Sequence, residues 1–152
     1  MNFIIDEKVK QLNSMLSEID NIYQTLLMSK NMSDSEYIVM FAILSLGEGC
    51  LQKDIAESGF MSKKTINSTI KKLQKEDLIT LKAGKYPNMH IYLTTKGMDY
   101  IKKNVLPIIE VERTVLDSMP SESFDLLVGS YSKYIERFKE HVLHFVEKTS
   151  LR

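Results

Sequence analysis

Lys64, Ser68, Lys71 and Lys75 recur at intervals of three and four with Asn67 at their edge, so at about 100° per residue they share one side of a helix. Ammonium groups arrayed this way neutralise phosphates, and short amide and hydroxyl side chains among them reach base edges in a major groove. Ile66, Ile70 and Leu73 fall on the opposite sector and supply an apolar side to bury. Any lysine-rich helix can simply be a solvated face; the neighbourhood of this one decides between the two readings.

Other chemistry-bearing residues are sparser. His141 and His144 stand three apart near Glu140 and Glu147, half of a metal site without a third ligand close in sequence, so surface polar residues are the favoured reading and no metal is expected. Cys50 reads as a partly buried, unreactive thiol rather than an oxidant sensor. No glycine-rich phosphate loop, nucleophile elbow or paired-carboxylate pattern is present, which argues against an enzyme and implies no cofactor.

The elements that must hold the lysine face follow from the flanking pattern. Leu51, Ile55 and Ala56 give a short one-sided helix over Leu51–Glu57, and Ser58–Met61 forms a turn in which Gly59 supplies a positive φ. Ser62 then caps the basic helix, Ser62–Asp77. Leu78–Lys82 and His90–Leu93 are β-prone runs joined by a loop, Ala83–Met89, that carries Gly84 and Pro87, with Lys82, Lys85, Tyr86 and Asn88 at its tip. A helix-turn-helix followed by a β-hairpin serves DNA binding far more often than catalysis.

Upstream, apolar residues from Val9 to Leu27 recur at threes and fours in one long amphipathic helix, about Phe3 to Ser29. Ser33-Asp34-Ser35-Glu36 is a capping box, and Tyr37 to Leu46 is a largely apolar helix ended near Gly47 and Gly49. Downstream, Thr94 caps a helix running to Met119 in which Pro107 should introduce a kink; after Pro120-Ser121 a last apolar stripe runs from Phe124 to Phe145. Helices this long outreach the core, so their stripes call for a partner.

At 152 residues and 43% hydrophobic content the chain suffices for one globular domain with arms. No apolar run approaches a membrane span, and Met1-Asn2-Phe3-Ile4-Ile5-Asp6 has no basic region leading into a signal-peptide core. One cysteine excludes an internal disulfide and suits a reducing cytoplasm. Net charge is zero, yet between Lys53 and Lys103 eleven lysines face five acids, an excess of six positives that the remainder of the chain offsets. A basic middle between acidic ends fits a DNA-reading core with separate assembly arms.

Taken together, Gln52, Asp54-Ile55-Ala56-Glu57, Ser62, Thr65-Ile66, the run Ile70 to Ile79 and Leu93-Thr94-Thr95-Lys96-Gly97 resemble, in order and spacing, the pattern of the MarR family of winged-helix transcriptional regulators. Two stretches depart from it. Where many members carry an Asp-x-Arg pair in the wing, this chain has Lys85-Tyr86-Pro87 and no arginine between Leu81 and Thr94; the turn that often reads Leu-Gly-Val is Gly59-Phe60-Met61.

The resemblance implies a mainly α fold with a small β-hairpin wing. A winged helix-turn-helix unit over residues 33–97 would be flanked by dimerisation helices over 1–30 and 98–152. It further implies a cytoplasmic, sequence-specific DNA-binding regulator, homodimeric on a pseudo-palindromic operator in double-stranded DNA, with no membrane association. Lys64, Asn67, Ser68 and Lys71 would enter the major groove. Lys63, Lys72, Lys82 and Lys85 would hold phosphates, Ser62 and Thr65 would meet backbone, and Gln52, Lys53, Tyr86 and Asn88 complete the expected contact set. In the family, small-molecule effectors lodge between the arms and the DNA-reading unit, which makes Tyr23, Met40, Met98 and Tyr100 candidates here, against the commoner use of methionine as core filler. The alternative reading is a protein-interaction module of the same fold without DNA binding, supported by the neutral charge and the missing wing arginine.

Overall fold

Ser33 and Glu36 form the expected reciprocal cap: the Ser33 amide donates to Glu36 Oε2 at 3.0 Å and the Glu36 amide to Ser33 Oγ at 3.4 Å. That cap starts α2, Asp34–Leu46, whose Val39, Met40 and Ile43 are at most 1% exposed and form the hub of the core. The computed structural model describes residues 4–57, 61–84 and 89–150. Around α2 stand α1 (Glu7–Ser29), α3 (Gln52–Glu57) and α4 (Lys63–Lys75). Then come β1 (Ile79–Ala83), β2 (Met89–Leu93), α5 (Thr95–Tyr100), a π-helical turn (Ile101–Val105), α6 (Leu106–Ser118) and α7 (Ser121–Ser150).

Several expected boundaries move, each for a local reason. The first helix of the helix-turn-helix begins at Gln52, because Leu51 pairs with His90 as an antiparallel bridge. The Gly49 amide donates to the Ile91 carbonyl at 2.7 Å and the Ile91 amide to the Cys50 carbonyl at 3.0 Å, so this short stretch lies along the hairpin as a third, minimal strand. Helix α3 is instead capped from within, the Leu51 amide donating to Asp54 Oδ2 at 2.9 Å. Ser58, Gly59 and Phe60 of the turn lie outside the described residues, as do Lys85 to Asn88 of the wing loop.

Helix α4 ends at Lys75 rather than Asp77. Asp77 takes φ +58° while its amide donates to the Gln74 carbonyl and that of Leu78 to the Leu73 carbonyl, the paired bonds of a Schellman end. Leu73 and Leu78, both buried, complete it with the usual apolar contact. The hairpin follows at once, with Ile79 opposite Leu93 and Lys82 opposite His90. Ile79 and Ile91 turn to the core at 1% and 0% exposure, so the period-two alternation sets the inner face.

Thr94-Thr95-Lys96-Gly97 ties the start of α5 onto the end of α4. The Thr94 hydroxyl donates to the Asp77 carbonyl at 2.6 Å and accepts the Gly97 amide at 2.9 Å. The Lys96 ammonium donates to the Glu76 carbonyl at 2.7 Å, satisfying an orphan helix end with a cation. Gly97 packs so closely that a Cβ there would overlap the Leu78 carbonyl oxygen and stand 2.9 Å from its carbon. Beyond α5 the helix ladder widens into the π turn just ahead of Pro107, the Leu106 amide donating to the Ile101 carbonyl, and Pro107 falls in the first turn of α6.

The chain divides into two compact units, Met1–Ile109 and Glu110–Arg152. The first also holds α1: Leu27 is buried in the core, Tyr23 meets Tyr37 with ring centroids 6.4 Å apart, and Gln24 Nε2 donates to the Asp34 carboxylate at 2.7 Å. In the second unit α7 runs 30 residues, and every described side chain on it is exposed. No described helix is long and apolar enough to cross a membrane. Gly97→Ala should lower stability by about 1–3 kcal/mol, because rigid backbone rather than a flexible side chain meets the new methyl; urea denaturation of the full chain checks it.

Candidate nucleic-acid interface

The apolar stripe of α4 fixes which of its residues face water. Ile66, Ile70 and Leu73 are 0–2% exposed, and Thr69, buried beside them, satisfies its hydroxyl by donating to the Thr65 carbonyl at 2.9 Å. Lys63, Lys64, Asn67, Ser68, Lys71 and Lys75 are all exposed. The residues expected to read DNA are therefore presented together along one helix, with the amines clear of the core.

Helix α3 supplies the other wall of a small cleft. Gln52, Lys53 and Ala56 on α3 and Lys63, Ile66 and Asn67 on α4 line a space of about 240 Å³ at the mouth of the helix-turn-helix. Ser62 caps α4, its Oγ accepting the Thr65 amide at 3.2 Å and lying 2.8 Å from Thr65 Oγ1. Ser68 donates to the Thr65 carbonyl at 2.8 Å, which leaves its oxygen as an acceptor. Free amides at a helix start attract anions, so Ser62 and Thr65 sit where a phosphate would be met.

On the wing, Lys82 lies over the Tyr92 ring with its ammonium 4.5 Å from the centroid, a cation–π contact that holds the stem along the hairpin. His90 Nδ1 stands 2.6 Å from the Gly49 carbonyl and ties the hairpin to the stretch before α3. Lys85, Tyr86 and Asn88 of the expected contact set lie outside the described residues.

Lys72 stands apart from its neighbours. Its ammonium meets Glu36 Oε1 at 3.0 Å, and Glu36 on α2 is only 5% exposed. Burial pushes the Glu36 carboxyl up, but the Ser33 hydroxyl and amide together with the Lys72 ammonium outweigh it and hold the group below its ordinary 4.5. Sequence reasoning places Lys72 among the phosphate-holding lysines and Glu36 in a cap. Their meeting joins residues 36 positions apart and has no local signal.

The four residues considered for an effector occupy unlike settings. Met40 is fully buried core filler, Met98 is 43% exposed, Tyr23 packs on Tyr37, and Tyr100 is half-buried, its hydroxyl pushed up by burial and by the nearby Glu36 and Glu76 carboxylates. Cys50 is buried at the start of the helix-turn-helix; burial and the Asp54 carboxylate push its thiol up, the direction that disfavours a thiolate. His141 and His144 are exposed on α7, and among the described residues no group of three or more His, Cys, Asp or Glu gathers to hold a metal.

Comparison with known proteins gives a consistent picture. Residues 30–85, from α2 through α4 to β1, match the model of the MarR family. No curated protein matches the chain. Among solved structures, NMB1585, a MarR family regulator from Neisseria meningitidis, is similar at a TM-score of 0.79 and 18% identity, over 90% of this chain and 97% of that one. The S. aureus MepR–DNA complex gives a TM-score of 0.69 at 15% identity, over 89% and 99%. S. aureus MarR in complex with salicylate and kanamycin gives 0.67 at 17%, over 88% and 95%. At these identities the likeness is one of fold.

Because Glu36 is held below its ordinary pKa in the folded protein, its share of stability is present above about pH 4.5 and is lost as the pH falls through the lowered value. Glu36→Gln should thus be less stable than the parent near neutrality, with the gap between the two narrowing as the pH falls below 4.5. Denaturant midpoints measured at intervals from neutrality downward test the claim, and a gap that did not narrow on acidification would contradict it.

Proposed function

We propose that this chain, a member of the MarR family of winged helix-turn-helix proteins, is a sequence-specific DNA-binding transcriptional regulator. The observation that carries the reading is the forced exposure of one face of α4: with Ile66, Ile70 and Leu73 buried, Lys64, Asn67, Ser68 and Lys71 are left as a common outer surface. In this reading they enter the major groove, while Lys63, Lys82 and Lys85 hold phosphates and Gln52 and Lys53 flank the groove from α3.

The protein acts as a homodimer. This rests on α1 and α7, which leave long apolar stripes uncovered: Val9, Ile19 and Ile22 are 50–56% exposed on one, and Leu127, Tyr131, Phe138 and Val142 are 43–58% exposed on the other. A second copy is the economical cover, since two-fold pairing would also set two α4 helices about one DNA turn, roughly 34 Å, apart on a pseudo-palindrome. A small-molecule effector that alters that spacing would be sensed near Tyr23 and Tyr100, and the regulator would work in the cytoplasm, on promoter DNA.

Lys71→Ala should weaken binding to every duplex and flatten the dependence of log K on log salt by about 0.9, while Asn67→Ala should cost about 1–3 kcal/mol at one base pair and little elsewhere. Undiminished promoter binding by Lys64→Glu with Lys71→Glu would overturn the assignment of α4. A parent protein that ignored random duplex DNA even at low salt would point to a protein-interaction module instead. For the assembly, light scattering should give the mass of a dimer for the parent and of a monomer for Phe138→Glu with Val142→Glu; a monomeric parent at micromolar concentration would refute the pairing.

A further inference from the structure

We infer that Glu36 and Lys72 fix the rotation of α4, and that Lys72 is a positioning residue for the reading face rather than a phosphate contact. The inference rests on the DNA-binding reading for its consequence, but its geometry stands by itself. Lys72 lies about 100° round the helix from Lys71, away from the centre of the outer face and toward α2, against which α4 packs. There its ammonium is 3.0 Å from Glu36 Oε1.

The carboxylate it meets is a fixed post. Glu36 Oε2 accepts both the Ser33 amide at 3.0 Å and the Ser33 hydroxyl at 2.5 Å, so the side chain is clamped to the backbone at the start of α2. Its other oxygen is left for one cation. If Lys72 swung out to a phosphate, Glu36 would remain as a buried carboxylate without a counter-charge, an arrangement far costlier than an exposed lysine without a partner. Lys71, with no such acid among the described residues, is free to move to DNA; Lys72 is held.

The apolar stripe sets which side of α4 is inward, and the charge-assisted bond at its flank adds a tether to a clamped carboxylate on α2 that opposes rolling of the helix about that stripe. A rotation of α4 would carry Asn67, Ser68 and Lys71 off register with base edges together. Glu36 thereby acts on recognition from a distance, without touching DNA.

The test uses the whole 152-residue chain with a duplex carrying its own promoter, titrated against salt, beside amide hydrogen exchange of residues 70–75 in the free protein. Lys72→Met and Glu36→Gln should each lower promoter affinity by about three- to tenfold with the salt slope unchanged, and the double variant should lose no more than either single one. Lys72→Arg should restore affinity, and the same order should appear in exchange, faster in Lys72→Met and restored in Lys72→Arg. A slope flattened by Lys72→Met as much as by Lys71→Ala, or additive losses in the double variant, would overturn the inference. If the parent fails to bind DNA, the functional reading falls while the exchange data still judge the positioning role: unchanged exchange in Lys72→Met would refute it, and loss restored by arginine would support it.

Discussion

The structure depends on three side chains that cannot be turned toward water. Ile66, Ile70 and Leu73 lie on one line of α4 and are essentially unexposed against the core that α2 supplies. Removing branched aliphatic chains of this size from solvent contributes about 1.5–3 kcal/mol each, more than any half-exposed lysine contact could return by rotating the helix the other way. Lysine placement is therefore a by-product of isoleucine placement. The outer surface of α4 has its chemistry because the inner surface has no freedom.

A second constraint converges on the C-terminal end of the same helix. Within four residues the chain completes a Schellman turn, enters β1, and receives from Thr94, Lys96 and Gly97 a hydroxyl bond, an ammonium bond and a backbone contact too tight for any side chain. The wing thus leaves α4 and returns to it at the same place. Its orientation is set at the root by short hydrogen bonds and along its inner face by Ile79 and Ile91 packed in the core, which explains how a two-stranded hairpin, marginal by itself, holds a definite direction.

Where the chemistry was local, it was legible in sequence. The capping box at Ser33, the cap at Ser62, the stripe of α4 and the β-prone runs Leu78–Lys82 and His90–Leu93 each follow from residues a few positions apart, and the structure has a cap, helix or strand at each. The order of elements, and with it the winged helix-turn-helix, followed from those. Three features escaped. Asp77 adopts a left-handed conformation usually signalled by glycine, so the end of α4 lacked its ordinary marker. The pairing of Cys50 and Leu51 with β2 is a contact across some forty residues in a stretch that reads locally as a helix start. The Glu36–Lys72 pair spans two helices and has no periodicity to betray it. Of the expected contact residues, those on α4 are presented as the stripe requires, and Lys72 among them also meets Glu36, a partner that the helical wheel of α4 cannot show.

The minimal third strand has a consequence for how this molecule behaves in a crowded solution. Bonded on one side to β1 and on the other to Gly49 and Cys50, β2 has become the middle of its small sheet at Ile91, with no exposed ladder there to offer another chain. The open side is that of β1, and the strand carries Lys82 where the hairpin projects. A charged amine on an edge strand discourages the edge-to-edge pairing with another chain's strand by which such borders nucleate aggregates. One lysine on the wing thus guards the open edge while its ammonium rests over Tyr92, and the two duties favour the same residue type.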